Sequence, residues 1–277
     1  MADWRPMLNC REDGGARIMG VVNVTPDSFH PGSRSPETED ALASAIKMVE
    51  SGAEWIDVGG ESTRPGAEPV PPEEEAARVV PAIEAIRSEL PSTCISIDTR
   101  RASVAAKSLE AGADMVNDVS SLSDPGMLDL VVDSGCPICM MHMQGLPGDM
   151  QENPSYGDVV SEVKGALESS TGPLLEAGVE GSRIVVDPGI GFGKRLEHNL
   201  ALLSAGREIA PDDSMPLMWG VSRKSMFRDL LGRESSDDRL AGTLGVAAMA
   251  QLKGVDIVRV HDVVEHADLF ASMRAVG

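Results

Sequence analysis

Residues 183–194 read RIVVDPGIGFGK. Ile184, Val185 and Val186 form a short unbroken apolar run, the pattern of a strand buried on both faces. Pro188-Gly189 forbids further ladder pairing, so Asp187 is a carboxylate at the C-terminal tip of that strand. Gly189, Gly191 and Gly193 follow in a loop that carries one aromatic, Phe192, and one cation, Lys194. A single Asp in this position often caps its own loop. The same arrangement repeated along the chain would instead gather the strand tips into a site.

It repeats. RIMGVVNVTPDSF predicts a strand from Arg17 to Asn23, and Leu42, Ile46 and Val49 then recur at helical spacing. Trp55-Ile56-Asp57 is the next strand, followed by the polar loop GGESTRPGAEPVPP and a helix whose first turn, Glu73-Glu74-Glu75, complements the helix dipole. Further strands end at Asp98, Asn117, Met141-His142, Asp187, Gly220 and Arg259, each separated from the next by a helical pattern. A second long loop, MQGLPGDMQENPSY, follows the fifth strand. Three local segments, SGAEWID, AGADMVND and KGVDIVRV, share a form: a glycine suited to the left-handed end of a helix, a small residue, an acid and a short apolar strand. The chain is therefore expected to be α/β, a single (β/α)8 TIM barrel domain over 1–277 with long loops after strands 1, 2 and 5. Sites in such barrels lie where the strands end.

Composition agrees. Only 3% of residues are aromatic against 42% hydrophobic, so aliphatic side chains must do the packing, as in parallel α/β folds. No stretch approaches the length of a membrane span and the N-terminus lacks a signal-type apolar core, so a cytoplasmic location is expected. A net charge of −20 argues against a nucleic-acid partner. Arg64, Lys224, Arg259 and His261 nevertheless sit beside predicted tips, which points to a local anion. Cys136 and Cys139 have redox-motif spacing, but positions three apart on a strand face opposite ways, and no further ligands complete a zinc set. A structural role is expected for both.

Asp98, Asn117 and Asp187 offer acceptors and one amide that also donates. A flat heterocycle with adjacent amino, ring N–H and carbonyl groups, such as a pterin or guanine, needs that set. Each such bond to a buried charged group is worth about 1.5–3 kcal/mol. Lys224 suits the carbonyl, and the planar guanidinium of Arg259 suits the ring face. Asn23, Arg64, Arg259 and His261 suit phosphate oxygens.

The chain resembles the dihydropteroate synthase family from Met19 to His261. The matching stretches are MGVVNVTPDSF, DVGGESTRPGA, SIDT, VNDVS, MHMQGLPGDMQ, DPGIGFGK, GVSRKS and RVHD, in that order. The resemblance implies condensation of 6-hydroxymethyl-7,8-dihydropterin diphosphate with p-aminobenzoate, giving dihydropteroate and pyrophosphate. It implies that Asp98, Asn117, Asp187 and Lys224 hold the pterin, with Met141 and Arg259 packed on it. It further implies Asn23 as a Mg²⁺ ligand and Arg64, Arg259 and His261 as diphosphate receivers. Thr63, Pro65, Phe192, Lys224 and Ser225 would form the p-aminobenzoate site. Asp98, Asp187, Lys224, Arg259 and His261 would carry catalysis, and the family's habit suggests a homodimer.

One departure bears on the reaction. After Phe29 the family usually continues Ser-Asp-Gly-Gly, whereas this chain reads His30-Pro31-Gly32-Ser33, so a loop carboxylate is replaced by Pro31. Two rival readings remain. A methyltransferase acting on methyl-tetrahydrofolate shares the barrel and the pterin-holding Asp and Asn, but has no need of cationic diphosphate receivers. A non-catalytic pterin-binding paralogue would be supported by Pro31 alone.

Overall fold

Apolar residues alternate with one another, not with polar ones, along most strands of this chain, so each strand must bury both faces. The computed structural model, which describes residues 3–24, 36–61, 69–145 and 150–276, shows how. The order is β1 (Arg17–Asn23), α1 (Pro36–Glu50), β2 (Trp55–Gly59), α2 (Pro72–Glu89), β3 (Cys94–Asp98), α3 (Ala102–Glu110), β4 (Met115–Asp118) and α4 (Gly126–Ser134). It continues with β5 (Ile138–Met141), α5 (Val159–Glu176), β6 (Ile184–Asp187), α6 (Leu196–Ala205), β7 (Met218–Trp219), α7 (Met226–Leu231), α8 (Leu240–Leu252), β8 (Ile257–Val260) and α9 (Val263–Val276). The eight strands form one parallel sheet in the order β6-β5-β4-β3-β2-β1-β8-β7. A bridge between Val186 and Leu217 closes it into the expected barrel.

Two separate cores follow from the strand period of two. Met19, Trp55, Cys94, Met115, Cys139, Val185, Met218 and Ile257, one from each strand, pack inside the barrel near its N-terminal end. Leu8 seals that end, with Trp4 and Met7 against it, and the Trp55 indole N–H donates to Met7 O at 2.8 Å. Their neighbours Ile18, Ile56, Ile95, Val116, Ile138, Ile184 and Val258 point outward into the helix-covered core. Cys139 belongs to the inner core and Cys136 to the outer, as their three-residue spacing predicts.

The repeated glycine–acid segments lock the strands at this end. Gly52, Gly112 and Gly254 adopt φ of 104°, 113° and 69°, which a side chain would resist. Each following acid then clamps the neighbouring strand twice. Asp114 donates its N–H to Ile95 O at 2.7 Å and accepts from Ile95 N at 2.9 Å through its carboxylate. Glu54 does the same with Ile18, and Asp256 with Leu217. An arginine neutralises each carboxylate: Arg17 and Arg11 on Glu54, Arg87 on Asp114, Arg207 on Asp256.

One local expectation needs correction. β7 is shorter than the run 217–219 suggests, because the Leu217 N–H goes to the Asp256 carboxylate at 2.8 Å and not into a ladder. The short helix α7 begins directly after Ser225, where a helix start was expected, and Gly232 at φ 67° ends it. Its charged sequence, MFRDLL, hides the two buried positions, Met226 and Phe227, that hold it down. Most of the connection after β1, and parts of those after β2 and β5, lie outside the described residues, including His30 and Pro31.

Candidate active site

Two residues beyond the inner core, each strand presents its next inward position toward the C-terminal mouth. There the composition changes from apolar to polar. β2 contributes Asp57, β3 Ser96, β4 Asn117, β5 Met141, β6 Asp187 and β8 Arg259, and of these only Arg259 is not fully buried. A layer of this kind cannot be built for packing alone, since each buried charge is costly unless paired.

The pairing is specific. Arg259 donates Nε to Asp57 Oδ2 at 2.6 Å and a terminal nitrogen to Asp98 Oδ2 at 2.6 Å. Asn117 Nδ2 donates to the same Asp57 oxygen at 3.2 Å. Asp57 Oδ1 is buried without a hydrogen-bond partner among the described residues. One guanidinium thus ties together strands β8, β2 and β3, and Asp57 links it to β4. Sequence reading named Asp57 as a strand tip but gave it no role in the site. Its signal was the register, since Asp57 is level with Ser96 and two residues below Asp98 on the adjacent strand.

Burial sets the charge states. The Asp98 carboxyl is pushed up to about 7, by desolvation against the opposing pull of Arg259 and with a further push from Asp57. Asp187 is also raised by burial, although the Gly189 N–H donates to its Oδ1 at 2.7 Å. Lys224 is lowered to about 8 by burial, with Asp187 acting in the other direction. Arg259 lies above its ordinary value, held there by Asp57 and Asp98 against desolvation. The mouth therefore holds one carboxyl, Asp98, that releases and regains a proton near neutrality beside a guanidinium that does not.

The loop after β6 supplies the second half of the site. Gly191, at φ 83°, is the place where the Lys224 side chain crosses; a Cβ there would lie 3.2 Å from Lys224 Cδ. The Lys224 ammonium stands 4.1 Å from the centroid of the Phe192 ring, a cation–π contact. Ser225 is exposed and opens on a cleft of about 630 Å³ whose wall also carries Lys194, Arg195, Asn199 and Arg228. A smaller hollow of about 250 Å³ lies on the other side, bordered by Met141, Val119, His142 and Arg100. The two flank the polar layer. His261 Nδ1 lies 2.9 Å from Ser222 Oγ, which also accepts the His261 backbone N–H at 3.2 Å. Asn23 is exposed at the end of β1, level with Gly59.

The structure thus brings Asp98, Asn117, Met141, Asp187, Lys224 and Arg259 to one barrel end, with Phe192 on Lys224 and Asn23, Ser225 and His261 at the same end. Thr63, Arg64 and Pro65 lie outside the described residues. Among the described residues no group of three His, Cys, Asp or Glu side chains could hold a metal ion.

A barrel with acceptors, an amide and two cations at its mouth defines a binder of a polar heterocycle. The profile of the family described as pterin binding enzyme matches residues 19–261, and the chain belongs to that family. A dihydropteroate synthase of Escherichia coli K12 is 44% identical over 259 residues, covering 94% of this chain and 90% of its own. A structure of Xanthomonas albilineans dihydropteroate synthase with 4-aminobenzoic acid matches at a TM-score of 0.86 and 40% identity, covering 95% of this chain and 93% of that one. A Burkholderia cenocepacia dihydropteroate synthase complexed with 7,8-dihydropteroate matches at 0.85 and 42%, covering 94% and 91%. Within the family the chain stands among the dihydropteroate synthases, transferases of folate biosynthesis.

Proposed function

We propose that the polar layer at the strand ends is the pterin site of a dihydropteroate synthase and that each side chain acts there as follows. Asp98, Asn117, Asp187 and Lys224 hydrogen-bond the pterin edge, Met141 packs on it, and Arg259 covers its face. Arg259 and His261, with Arg64, receive the diphosphate. Thr63, Pro65, Phe192 and Lys224 enclose p-aminobenzoate, whose carboxylate reaches Ser225. The observation that carries this reading is the shared bonding of Arg259 to Asp57 and Asp98 beside Asn117, which holds pterin-facing and phosphate-facing groups in one rigid set.

In the reaction, the bond between the pterin methylene carbon and the diphosphate oxygen breaks as the arylamine nitrogen forms its bond to that carbon. The amine loses a proton and pyrophosphate leaves. Arg259 and His261 offset charge on the departing oxygens, where such donors contribute most. Asp98 and Asp187 stabilise positive charge on the methylene. The arylamine is already a nucleophile, so no Ser or Cys is activated.

Mg²⁺ fits this site in one particular way. The Asn23 amide oxygen is a hard ligand, and Mg²⁺ characteristically takes one or two protein oxygens together with substrate phosphates and waters. When bound, the ion supplies charge neutralisation on the diphosphate. We read the chain as one domain and as a homodimer, supported by exposed Leu230 and Leu231 on α7 and Met249 and Leu252 on α8. The four thiols are free, in keeping with a reducing, cytoplasmic location.

A crystal structure with 7,8-dihydropteroate tests the assignment. The pterin edge should meet Asp98, Asn117, Asp187 and Lys224, with the benzoate beside Phe192 and Ser225. Product seated in the hollow beside Arg100 would contradict it.

A further inference from the structure

Lys194 is a loop cation to which neither the motif reading nor the reaction assigns a task. It is only 4% exposed. Its Nζ lies 2.9 Å from His142 Nδ1, 2.9 Å from Phe192 O and 3.4 Å from His142 O. An ammonium has donors and no acceptor, so the His142 Nδ1 contact requires a neutral imidazole with its lone pair toward Lys194. His142 leads the loop after β5, and Phe192 and Lys194 lie in the loop after β6, so the ammonium bridges the two.

The loops meet backbone to backbone at the same place. A Cβ on Gly189 would come within 1.9 Å of His142 O, and one on Gly193 within 2.3 Å of Gln144 O. Tyr156 Oη donates to Gly193 O at 2.9 Å and Gln151 Nε2 to Gly191 O at 2.6 Å. Every glycine of the β6 loop is thereby fixed by the β5 loop or the segment after it, save where Gly191 also abuts Lys224. Phe192 alone presents its ring outward to a site group, the Lys224 ammonium.

We propose that Lys194, seated on His142, is a positioning residue that clasps the β6 loop to the β5 loop and so sets the p-aminobenzoate wall made by Phe192 and Lys224. The proposal rests on the functional reading above. The charged groups facing Lys194 are Asp187, which favours its ammonium, and Lys224, which opposes it. Burial brings Lys194 down to about 7, and burial together with Lys194 brings His142 down to about 3. His142 thus stays neutral across the working range, and the clasp weakens as Lys194 gives up its proton above neutrality.

The test compares wild type with Lys194→Met and Lys194→Arg at pH 6.5 to 9. At the low end, Lys194→Met should raise KM for p-aminobenzoate about tenfold, the worth of one charge-assisted hydrogen bond, with Kd for the pterin diphosphate within about twofold. The ratio of the two KM values should shrink as pH rises past about 7, which cancels any contribution of Lys224 common to both. Lys194→Arg, always charged, should recover part of the KM, and its KM ratio to Lys194→Met should stay flat over the pH range where that of wild type shrinks. Hydrogen exchange in ligand-free protein should show amides 189–193 exchanging faster in Lys194→Met. Unchanged KM with unchanged exchange overturns the proposal. So does an equal loss of pterin affinity, which would mark a general structural role. If wild type does not turn over the substrates, the functional reading fails, and the exchange result still decides whether the clasp exists.

Discussion

Asp57→Asn is the substitution that asks most of the site. The residue is fully buried, its Oδ2 accepts from Arg259 at 2.6 Å and from Asn117 at 3.2 Å, and its Oδ1 has no partner among the described residues. Asn has the same shape, so the inner core should not notice the change. What is lost is the charge beneath Arg259. A hydrogen bond to a charged group is worth about 1.5–3 kcal/mol, and replacing the carboxylate oxygen by an amide oxygen forfeits much of it. At about 1.4 kcal/mol per tenfold, kcat should fall roughly 10- to 100-fold. Arg259 then has Asp98 alone, and the push that Asp57 gives Asp98 disappears, so Asp98 should titrate below about 7. Pterin affinity should drop less than kcat at pH 8 and resist acid better than in wild type. Steady-state kinetics, calorimetric titration of the pterin and its pH profile measure all three. Wild-type kcat together with an unmoved pH profile would refute the idea that Asp57 organises Arg259.

Other perturbations separate the parts of the account. Asp187→Asn should nearly abolish pterin binding in calorimetry while thermal unfolding stays near wild type, because the side chain faces the mouth. In wild type, pterin affinity should fall as pH drops through about 7, since burial raises Asp98 and its protonated form is one acceptor poorer; Asp98→Asn should bind weakly without that limb. The same shift makes the ligand-free fold gain from Asp98 at low pH and lose that gain as pH rises through about 7, a slope visible in urea melts. Asn23→Ala should lower turnover more than pterin affinity, and excess chelator should stop turnover, as rate assays with and without Mg²⁺ will show. Asp114→Ala should cost about 1–3 kcal/mol in urea denaturation, because it leaves the buried Ile95 N–H unpaired and removes the carboxylate from Arg87, which keeps its bonds to backbone carbonyls, while leaving the mouth intact.

The barrel was legible because its signals are local. Apolar runs of strand length ending at Asp98, Asn117 and Asp187, with Gly112 and Gly178 after the helices that precede the last two, need no knowledge of the rest of the chain. That Cys136 and Cys139 face opposite ways followed from the strand period alone; which of them points inward did not. The sequence could also name the polar tips, because each stands at the end of its own run. It could not say which tips touch. Asp57, Asp98 and Arg259 are brought together by barrel closure across β8, β1, β2 and β3, and nothing local marks Asp57 as the shared partner. The plug of Trp4, Met7 and Leu8 was missed for the same reason: three apolar residues in a polar segment have no period to read. Lys194 was seen as a loop cation, yet its burial on His142 depends on how two loops stack.

The most direct test is a product count. Purified protein, Mg²⁺, 6-hydroxymethyl-7,8-dihydropterin diphosphate and p-aminobenzoate are combined, and pyrophosphate and dihydropteroate are measured together over time. The account predicts equal molar amounts of the two, and pyrophosphate release that depends on p-aminobenzoate. Release without dihydropteroate, or neither product from folded protein that binds pterin, would contradict it.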